Sequence, residues 1–435
     1  QAIWPYVQQW SLSVQRELTK NTVTTLGYVG SKGTHLTTEL QVNQLVPAVS
    51  TNNPFGTFGL APGQPITSTI CNSYNGNSFT FVTPSNPAGV IWDNTNTDFV
   101  NLEAACFGTP GKTFPDPNSL RQFAPGFGQI FSLQNVANSD YNGLQFTIRR
   151  ATGPLTVGLA YTYSHSIDDS SDRSDTTLVN SYDLSSNKAS SNFDQRHLLN
   201  ISYVYKLDSV VNKLRYWFSD IGFDDSASTQ STPTPMPESS SGWVRAMENG
   251  WELSGITVFQ TGTPFSIING GSSTGISVLD NAGVANGTGA GSYPDVIGDP
   301  HRTAPLGANN PESIGPILGN PAAFSAPVGL TFGDAGRNFM NNPNRLNFDV
   351  ALLKHFKITE GSNLEFRAEA FNVFNHTQFR IYDPDKGNTG SNTITCYGGP
   401  DNSPGDPSCL EGSSFLHPVD AHRPRTMQFG LKYNF

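Results

Sequence analysis

The chain has 435 residues, a formal net charge of −10 and 14% charged residues, against roughly 25% in an ordinary soluble domain. Mean hydropathy is −0.34 and no stretch approaches the ~20 apolar residues of a membrane-spanning helix, which excludes the helical membrane class. An acidic balance without a basic patch argues against nucleic acid as a partner.

Alternation of apolar and polar residues with period 2, over about ten residues at a time, predicts nine strands. Trp10–Leu18 sets Trp10, Leu12, Val14 and Leu18 against Ser11, Ser13, Gln15 and Glu17, and Val23–Ser31 follows with a weaker pattern. Gly143–Arg150 carries Leu144, Phe146 and Ile148 on one side. Leu155–Tyr163 is the cleanest, with Leu155, Val157, Leu159, Tyr161 and Tyr163 opposite Thr156, Gly158, Ala160 and Thr162. Leu199–Leu207, Trp251–Phe259, Leu346–Ile358 and Leu364–Phe374 come next. The ninth is the C-terminal run, where Met427, Phe429, Leu431, Tyr433 and Phe435 alternate with Gln428, Gly430, Lys432 and Asn434. The pattern predicts an all-β fold: an antiparallel up-and-down transmembrane barrel segment of about nine to ten strands, partial or open, with a lipid-facing side and a polar lumen side.

The connections are strongly unequal. Tight turns are expected at Lys20-Asn21, at Ala151–Pro154 and at Thr359–Ser362. Long extracellular loops are expected at 32–127, 260–343 and 376–420. If Phe435 lies at the periplasmic face, every tight turn falls on the periplasmic side, as barrels of the outer membrane require. The linker 208–250 then becomes a periplasmic insertion, holding an amphipathic helix at Val210–Ile221 and a Ser/Thr/Pro-rich run. Nine spans ending at the periplasm place the start of the chain outside, so the sequence reads as the C-terminal segment of a larger barrel. Gln129–Val136 would be a tenth span; parity instead favours an extracellular hairpin partner or a lumen-lining segment.

The terminal arrangement Gln428, Gly430, Tyr433 and Phe435 resembles the signal by which the bacterial barrel-assembly machinery recognises outer-membrane proteins. Further stretches resemble one family: Tyr6–Gln15 (YVQQWSLSVQ), Gly27–Leu36 (GYVGSKGTHL), Asp140–Gln145 (DYNGLQ), Tyr161–Asp168 (YTYSHSID), Asn192–His197 (NFDQRH) and Phe366–His376 (FRAEAFNVFNH). In this order they look like the barrel of Oar-like TonB-dependent outer-membrane receptors. The resemblance implies a 22-stranded barrel filled by an N-terminal plug and energised by the TonB complex of the inner membrane. The plug, the TonB-contacting box and a signal peptide are absent from these residues. The implied partners are outer-membrane lipid, the barrel-assembly machinery, the remaining barrel strands and plug, and TonB through them. The implied location is the outer membrane of a Gram-negative bacterium. The alternatives are a complete small channel or adhesin, and a secreted glycan-binding β-protein.

Chemistry-bearing residues are few. Glu365, Arg367 and Glu369 share one strand face with Lys432 on its neighbour. Charges at mid-depth in lipid cost ~2–4 kcal/mol for Arg, somewhat less for Glu, so these face the lumen, either as an ion-pair ladder or as a surface for substrate or plug. Lys354 falls on the opposite, lipid face and breaks the pattern: near a strand end it can snorkel to the headgroups, and otherwise the strand register differs there; Arg150 at a periplasmic edge needs the same. Aromatics at strand ends (Trp10, Tyr163, Tyr205, Trp251, Phe356, Phe374, Tyr433 and Phe435) suit interfacial girdles. Four cysteines allow three pairings; shared loop membership favours Cys71–Cys106 and Cys396–Cys409, with free thiols as the alternative. Asp168, Asp169, Asp172 and Asp175, and separately Asp383 and Asp385, offer oxygen ligands for Ca²⁺ but lack EF-hand spacing, and solvated loops are the expected reading. Gly271–Gly275 matches G-x-S-x-G without the strand–turn–helix that a nucleophile elbow requires. No catalytic residue, metal site or cofactor is expected.

Overall fold

The computed structural model describes residues 3–44, 65–66, 90–91, 123–124, 127, 129–175, 178–207, 249–269, 293–301, 316–325, 333–359, 361–382, 391–394, 404–405, 409 and 413–435. Nine long strands form one antiparallel sheet in chain order: β1 (Tyr6–Thr19), β2 (Thr22–Gln41), β3 (Phe131–Thr152), β4 (Leu155–Asp168), β5 (His197–Lys206), β6 (Trp251–Gln260), β7 (Arg345–Lys357), β8 (Asn363–Phe371) and β9 (Thr426–Asn434). Ala189–Ser190 adds a short tenth strand against β4. Among the described residues no ladder joins β1 to β9, so the sheet is an open wall.

Sequence dictates where the wall turns back. Lys20 and Asn21 close β1 onto β2, with Asn21 in the left-handed region (φ 70). Asparagine tolerates that conformation better than most residues, and its amide donates to Glu17 Oε1 at 3.2 Å. Gly153 (φ 67) and Pro154 join β3 to β4. Thr359 and Ser362 bind each other through backbone and side chains between β7 and β8. All three turns lie at one end of the sheet.

Register carries each strand's alternation across the whole wall. One row runs Ala151, Thr156, Val204, Ser254, Ala351, Glu369, Gln428 from β3 to β9. The next row runs Arg150, Val157, Tyr203, Gly255, Val350, Ala370, Met427. One face is therefore small and polar, the other apolar. Exposed apolar side chains on the second face include Leu12 at 71%, Phe429 at 68% and Leu431 at 70%. In water such a surface would be untenable; against hydrocarbon it is the expected state. Glycine serves this face where an aromatic ring lies across the neighbouring strand. A Cβ at Gly30 would collide with the Trp10 indole, and one at Gly255 with Tyr203.

Strand lengths depart from expectation. Alternation ended the second strand at Ser31, but β2 continues to Gln41. Gln129–Val136 is no separate span: most of it is the first part of β3, which runs on unbroken for 22 residues. Its partner there is the extension of β2, with Leu40 opposite Ser132 and Leu36 opposite Ala137. Alternation weakens in this region because, once clear of lipid, neither face has to be apolar.

The hydrophobic core lies at the end opposite the tight turns. Phe265, Ile267, Ala323, Phe324, Met340, Ile381, Tyr382, Ile394, Phe415 and Leu416 form one buried cluster. They come from the β6–β7 and β8–β9 connections, which pair in two-residue ladders such as Pro264–Phe265 with Met340–Asn341. Phe415 and Phe339 meet Phe324 edge-on. A smaller cluster joins Val179, Ile268, Tyr293 and Ala335. Segments that read as polar loops thus fold into a cap. Apolar residues scattered between Gly, Pro and Asn show no period, so alternation could not reveal them.

Lys354 corrects a second expectation. It does lie on the apolar face, in register with Trp251 and Phe366. It does not reach solvent: it is 1% exposed, its Nζ sits 5.0 Å from both the Trp251 and Phe356 rings, and it donates to the Asn249 carbonyl. Cation–π contact and the carbonyl replace the headgroup water that snorkelling would have supplied. The insertion at 208–248, its expected helix, Gly271–Gly275, Asp383, Asp385, Cys71, Cys106 and Cys396 lie outside the described residues.

Candidate functional site

Two surfaces can meet a solute: the polar face of the wall and the loop cap above it. On the polar face the charged set of β8 forms a chain of contacts. Arg367 Nη2 lies 3.0 Å from Glu365 Oε1 and Nη1 lies 3.7 Å from Glu369 Oε1. His355 Nδ1 is 3.8 Å from Glu365, Gln428 Nε2 donates to Glu369, and Lys432 stands opposite Glu365 in register. This is the geometry of an ion-pair ladder across β7, β8 and β9. Beside it, a concavity of about 390 Å³ is floored by small side chains, among them Gly158, Ser202, Ser254 and Ala351, with Asp349 and Glu369 at its margin. Gln428, Gly430 and Tyr433 lie on the exposed last strand and Phe435 follows it, with Tyr433 and Phe435 stacked at 5.8 Å.

Polar side chains that tie each loop to the next fasten the cap. Gln44, after β2, donates to the Val179 carbonyl at 2.6 Å and accepts from Ser181 N at 2.9 Å. Asp194 accepts from Ser166 N at 2.8 Å and from Arg196 Nε at 2.9 Å. His165 Nδ1 is 3.0 Å from Asp194, and Arg196 Nη2 donates to His165 Nε2 at 3.0 Å, which leaves Nδ1 as the donor to the carboxylate. The YTYSHSID and NFDQRH stretches are therefore two halves of one interlocked corner between β4 and β5.

Arg337 closes the acidic cluster. Its side chain is fully buried, its Nη2 pairs with Asp168 and lies 3.5 Å from Asp175. Nη1 donates to the carbonyls of Asp168 at 2.9 Å and Asn187 at 3.0 Å, and Nη2 to Ser171 Oγ at 2.7 Å. Burial alone would lower the pKa of this guanidinium; the carboxylates of Asp175 and Asp168 outweigh it and hold the group above its ordinary value. Asp169 is engaged by the Asn138 backbone and side chain. The carboxylates of Asp168 and Asp175, offered above as Ca²⁺ ligands, face a cation of the protein itself. Among the described residues no group of three or more His, Cys, Asp or Glu is placed to hold a metal ion. Arg337 escaped the sequence reading, although it is the single basic residue between positions 303 and 344.

Asn338 (φ 52) extends the tie, donating to the Ser190 carbonyl and to Asn192 Oδ1. Asn342 Oδ1 accepts from Ile381 N and Tyr382 N, joining the β6–β7 and β8–β9 connections. In the FNVFNH stretch, Asn372 and Asn375 both adopt φ 51. Asn372 accepts from His376 N and donates to the carbonyls of His376 and Arg423, while Asn375 accepts from Arg425 N. The stretch is a clamp that aims β9 back into the wall. Cys409 is buried and disulfide-bonded.

Open antiparallel wall, apolar outer face and polar inner face agree with the comparisons. The family described as outer membrane beta barrel domain matches residues 1–219 and 231–402. No curated protein matches the chain. Among solved structures, it is similar to the outer membrane transporter YddB from Escherichia coli at 8% identity and a TM-score of 0.37, over 99% of this chain and 32% of that one. It is also similar to the pyoverdine outer membrane receptor FpvA from Pseudomonas aeruginosa at 10% identity and a TM-score of 0.33, over 99% of this chain and 30% of that one. The chain thus spans about a third of the length of those proteins. With the family match covering most of its residues, the chain belongs to the outer membrane beta barrel domain family, whose place is the outer membrane of Gram-negative bacteria.

Proposed function

We propose that the chain is part of the barrel wall of a TonB-dependent outer-membrane receptor that carries a small solute, with the energy-coupling contacts made by a plug held inside the completed barrel. The observation that supports this reading is the open wall. Both faces of β1 are exposed along its whole length, and β9 is exposed on both faces over nearly all of its own. A strand left so bare on an edge invites pairing, and its polar face is a surface for something to fill. The ordered YVQQWSLSVQ, YTYSHSID, NFDQRH and FNVFNH stretches add the resemblance to Oar-like receptors. A complete small channel would have been favoured by a tenth span at Gln129–Val136, which instead belongs to β3.

The test is assembly. Expressed with a secretion signal, the 435 residues alone should give no heat-modifiable band on unboiled gels and should be extracted from membranes by urea. A heat-modifiable, urea-resistant species would mean that these residues close a barrel by themselves, against the reading. In the longer receptor, uptake should stop when TonB is deleted. We further propose that the charged residues of the wall have no catalytic role and that Cys396 is the partner of Cys409.

A further inference from the structure

At the loop end of the wall, on its polar face, lies a cavity of about 260 Å³. Its floor includes Gln260 of β6 and Arg345 of β7, which are partners in register. Gln195 borders it from the β4–β5 corner, and Gln378, Arg380 and His422 from the β8–β9 connection. Among the described residues that line it, none is Asp or Glu. Arg380 is paired with Asp420, which stands outside the lining.

The wall of this cavity is polar beyond what its own contacts use. Gln378 is 4% exposed, and its Oε1 has no hydrogen-bond partner among the described residues. The Arg345 Nε is buried in the same condition. Buried polar groups in native proteins are almost always bonded, and exceptions call for a ligand, a water or a functional reason. Slack packing does not explain them. The neighbouring Asn342 amide spends both its ends on Thr263, Ile381 and Tyr382, so the framework is fixed while Gln378 and Arg345 remain unmatched. Neither orphan atom is exposed to solvent, so a ligand engages them after a side-chain rotation.

The two orphans specify complementary chemistry. Arg345 Nε needs an acceptor, and a carboxylate meets a guanidinium with charge-assisted hydrogen bonds. Gln378 Oε1 needs a donor. An ammonium donor would sit among two guanidinium groups and an imidazole with no carboxylate among the described lining residues, which disfavours amino acids; a hydroxyl carries no such penalty. The volume lies below the roughly 300–1,000 Å³ of drug-sized pockets, which limits the ligand to about one sugar ring. The geometry points to a binding site for a small hydroxylated carboxylate of sugar-acid size, its carboxylate toward Arg345 and a hydroxyl toward Gln378. The site is built from rim residues alone and stands whether or not the barrel works through TonB.

The experiment is titration of the longer receptor that carries this wall, purified in detergent micelles, with D-glucuronate, followed by saturation-transfer NMR and calorimetry. D-Glucose and acetate are the comparators. Glucuronate should bind at least tenfold more tightly than either. Arg345→Gln and Gln378→Leu should each weaken it tenfold or more. Gln378→Leu removes a buried orphan and should fold at least as well as the parent, so it decides the matter if Arg345→Gln does not fold. Glucuronate binding no tighter than acetate, or insensitivity to both substitutions, overturns the site. A trigalacturonide bound as tightly as the free acid assigns it to the end of an acidic glycan; its rejection assigns it to the free sugar acid.

Discussion

Replacing Arg337 with alanine should release the loop cap while leaving the wall intact. The side chain is fully buried and serves two carboxylates, two carbonyls and a hydroxyl. Asp168 and Asp175 are 3% and 5% exposed, so the substitution strands two buried charges and two buried carbonyls together. Removing one partner of a buried ion pair costs about 3–5 kcal/mol. At about 1.4 kcal/mol per decade, amide exchange that proceeds through opening of the cap should quicken by roughly 10²- to 4,000-fold. The amides to follow are those of residues 168–192 and 333–342, with β8 and β9 as internal controls, by hydrogen exchange of the longer receptor in micelles. The triple variant Arg337→Met with Asp168→Asn and Asp175→Asn removes every charge at once and should recover most of the loss. An acceleration under about threefold, an equal acceleration in β8 and β9, or a triple variant worse than the single one would each refute the idea that this ionic centre holds the cap closed.

Tyr293 gives the cap an alkaline limit. Burial, the largest influence, raises its phenol well above the ordinary 10.0. The native state then keeps a proton that the unfolded chain gives up, so this stability is complete below about pH 10 and fades as pH rises beyond it. Cap exchange should accelerate above pH 10 in the parent and less so in Tyr293→Phe; identical profiles would rule the phenol out. Asn372→Ala loses the left-handed backbone preference and three hydrogen bonds, and should destabilise by about 2–4 kcal/mol in urea melts. Asn372→Gly keeps the backbone and should fall between the parent and Asn372→Ala. In the longer receptor, Phe429→Arg on the apolar face should cost about 2–4 kcal/mol at mid-depth and reduce membrane assembly, while Gln428→Arg, one residue away on the polar face, should be tolerated. Equal loss of assembly in both would mean that the faces have been assigned wrongly.

Legibility in the sequence followed the solvent. Where strands cross lipid, one face must be apolar, and so Leu155–Tyr163 or Gln428–Phe435 show their alternation plainly. Every long strand was foreseen there, and register in the structure joins their faces without a slip from β3 to β9. Above the lipid that constraint ends. Leu36–Gln41 and Phe131–Val136 pair as strands, yet nothing in their pattern required it. The cap was less legible still. Phe265, Phe324 and Leu416 share a core though the first and last are some 150 positions apart, and no local period reports such a contact. The same holds for Arg337, whose partners Asp168 and Asp175 were noticed only as an acidic cluster. Motif resemblance did mark the right places, since YTYSHSID, NFDQRH and FNVFNH all sit at joints, but it marked them as signatures without showing that they are fasteners. Lys354 was placed on the correct face and given the wrong neighbours, because Asn249 arrives from the far end of a forty-residue linker.

Unequal strand length makes the rim of this wall a slope. β2 and β3 have 20 and 22 residues, β8 and β9 nine each. At about 3.3 Å per residue the difference is roughly 35–45 Å along the strand, or about 25–30 Å of height at a 45° tilt. On the tall side the sheet itself carries the rim, through the paired extensions of β2 and β3. On the low side, where β8 and β9 are short, the buried cluster of the β6–β7 and β8–β9 connections takes over from the sheet, so the rim there is built of packed loop and not of strand.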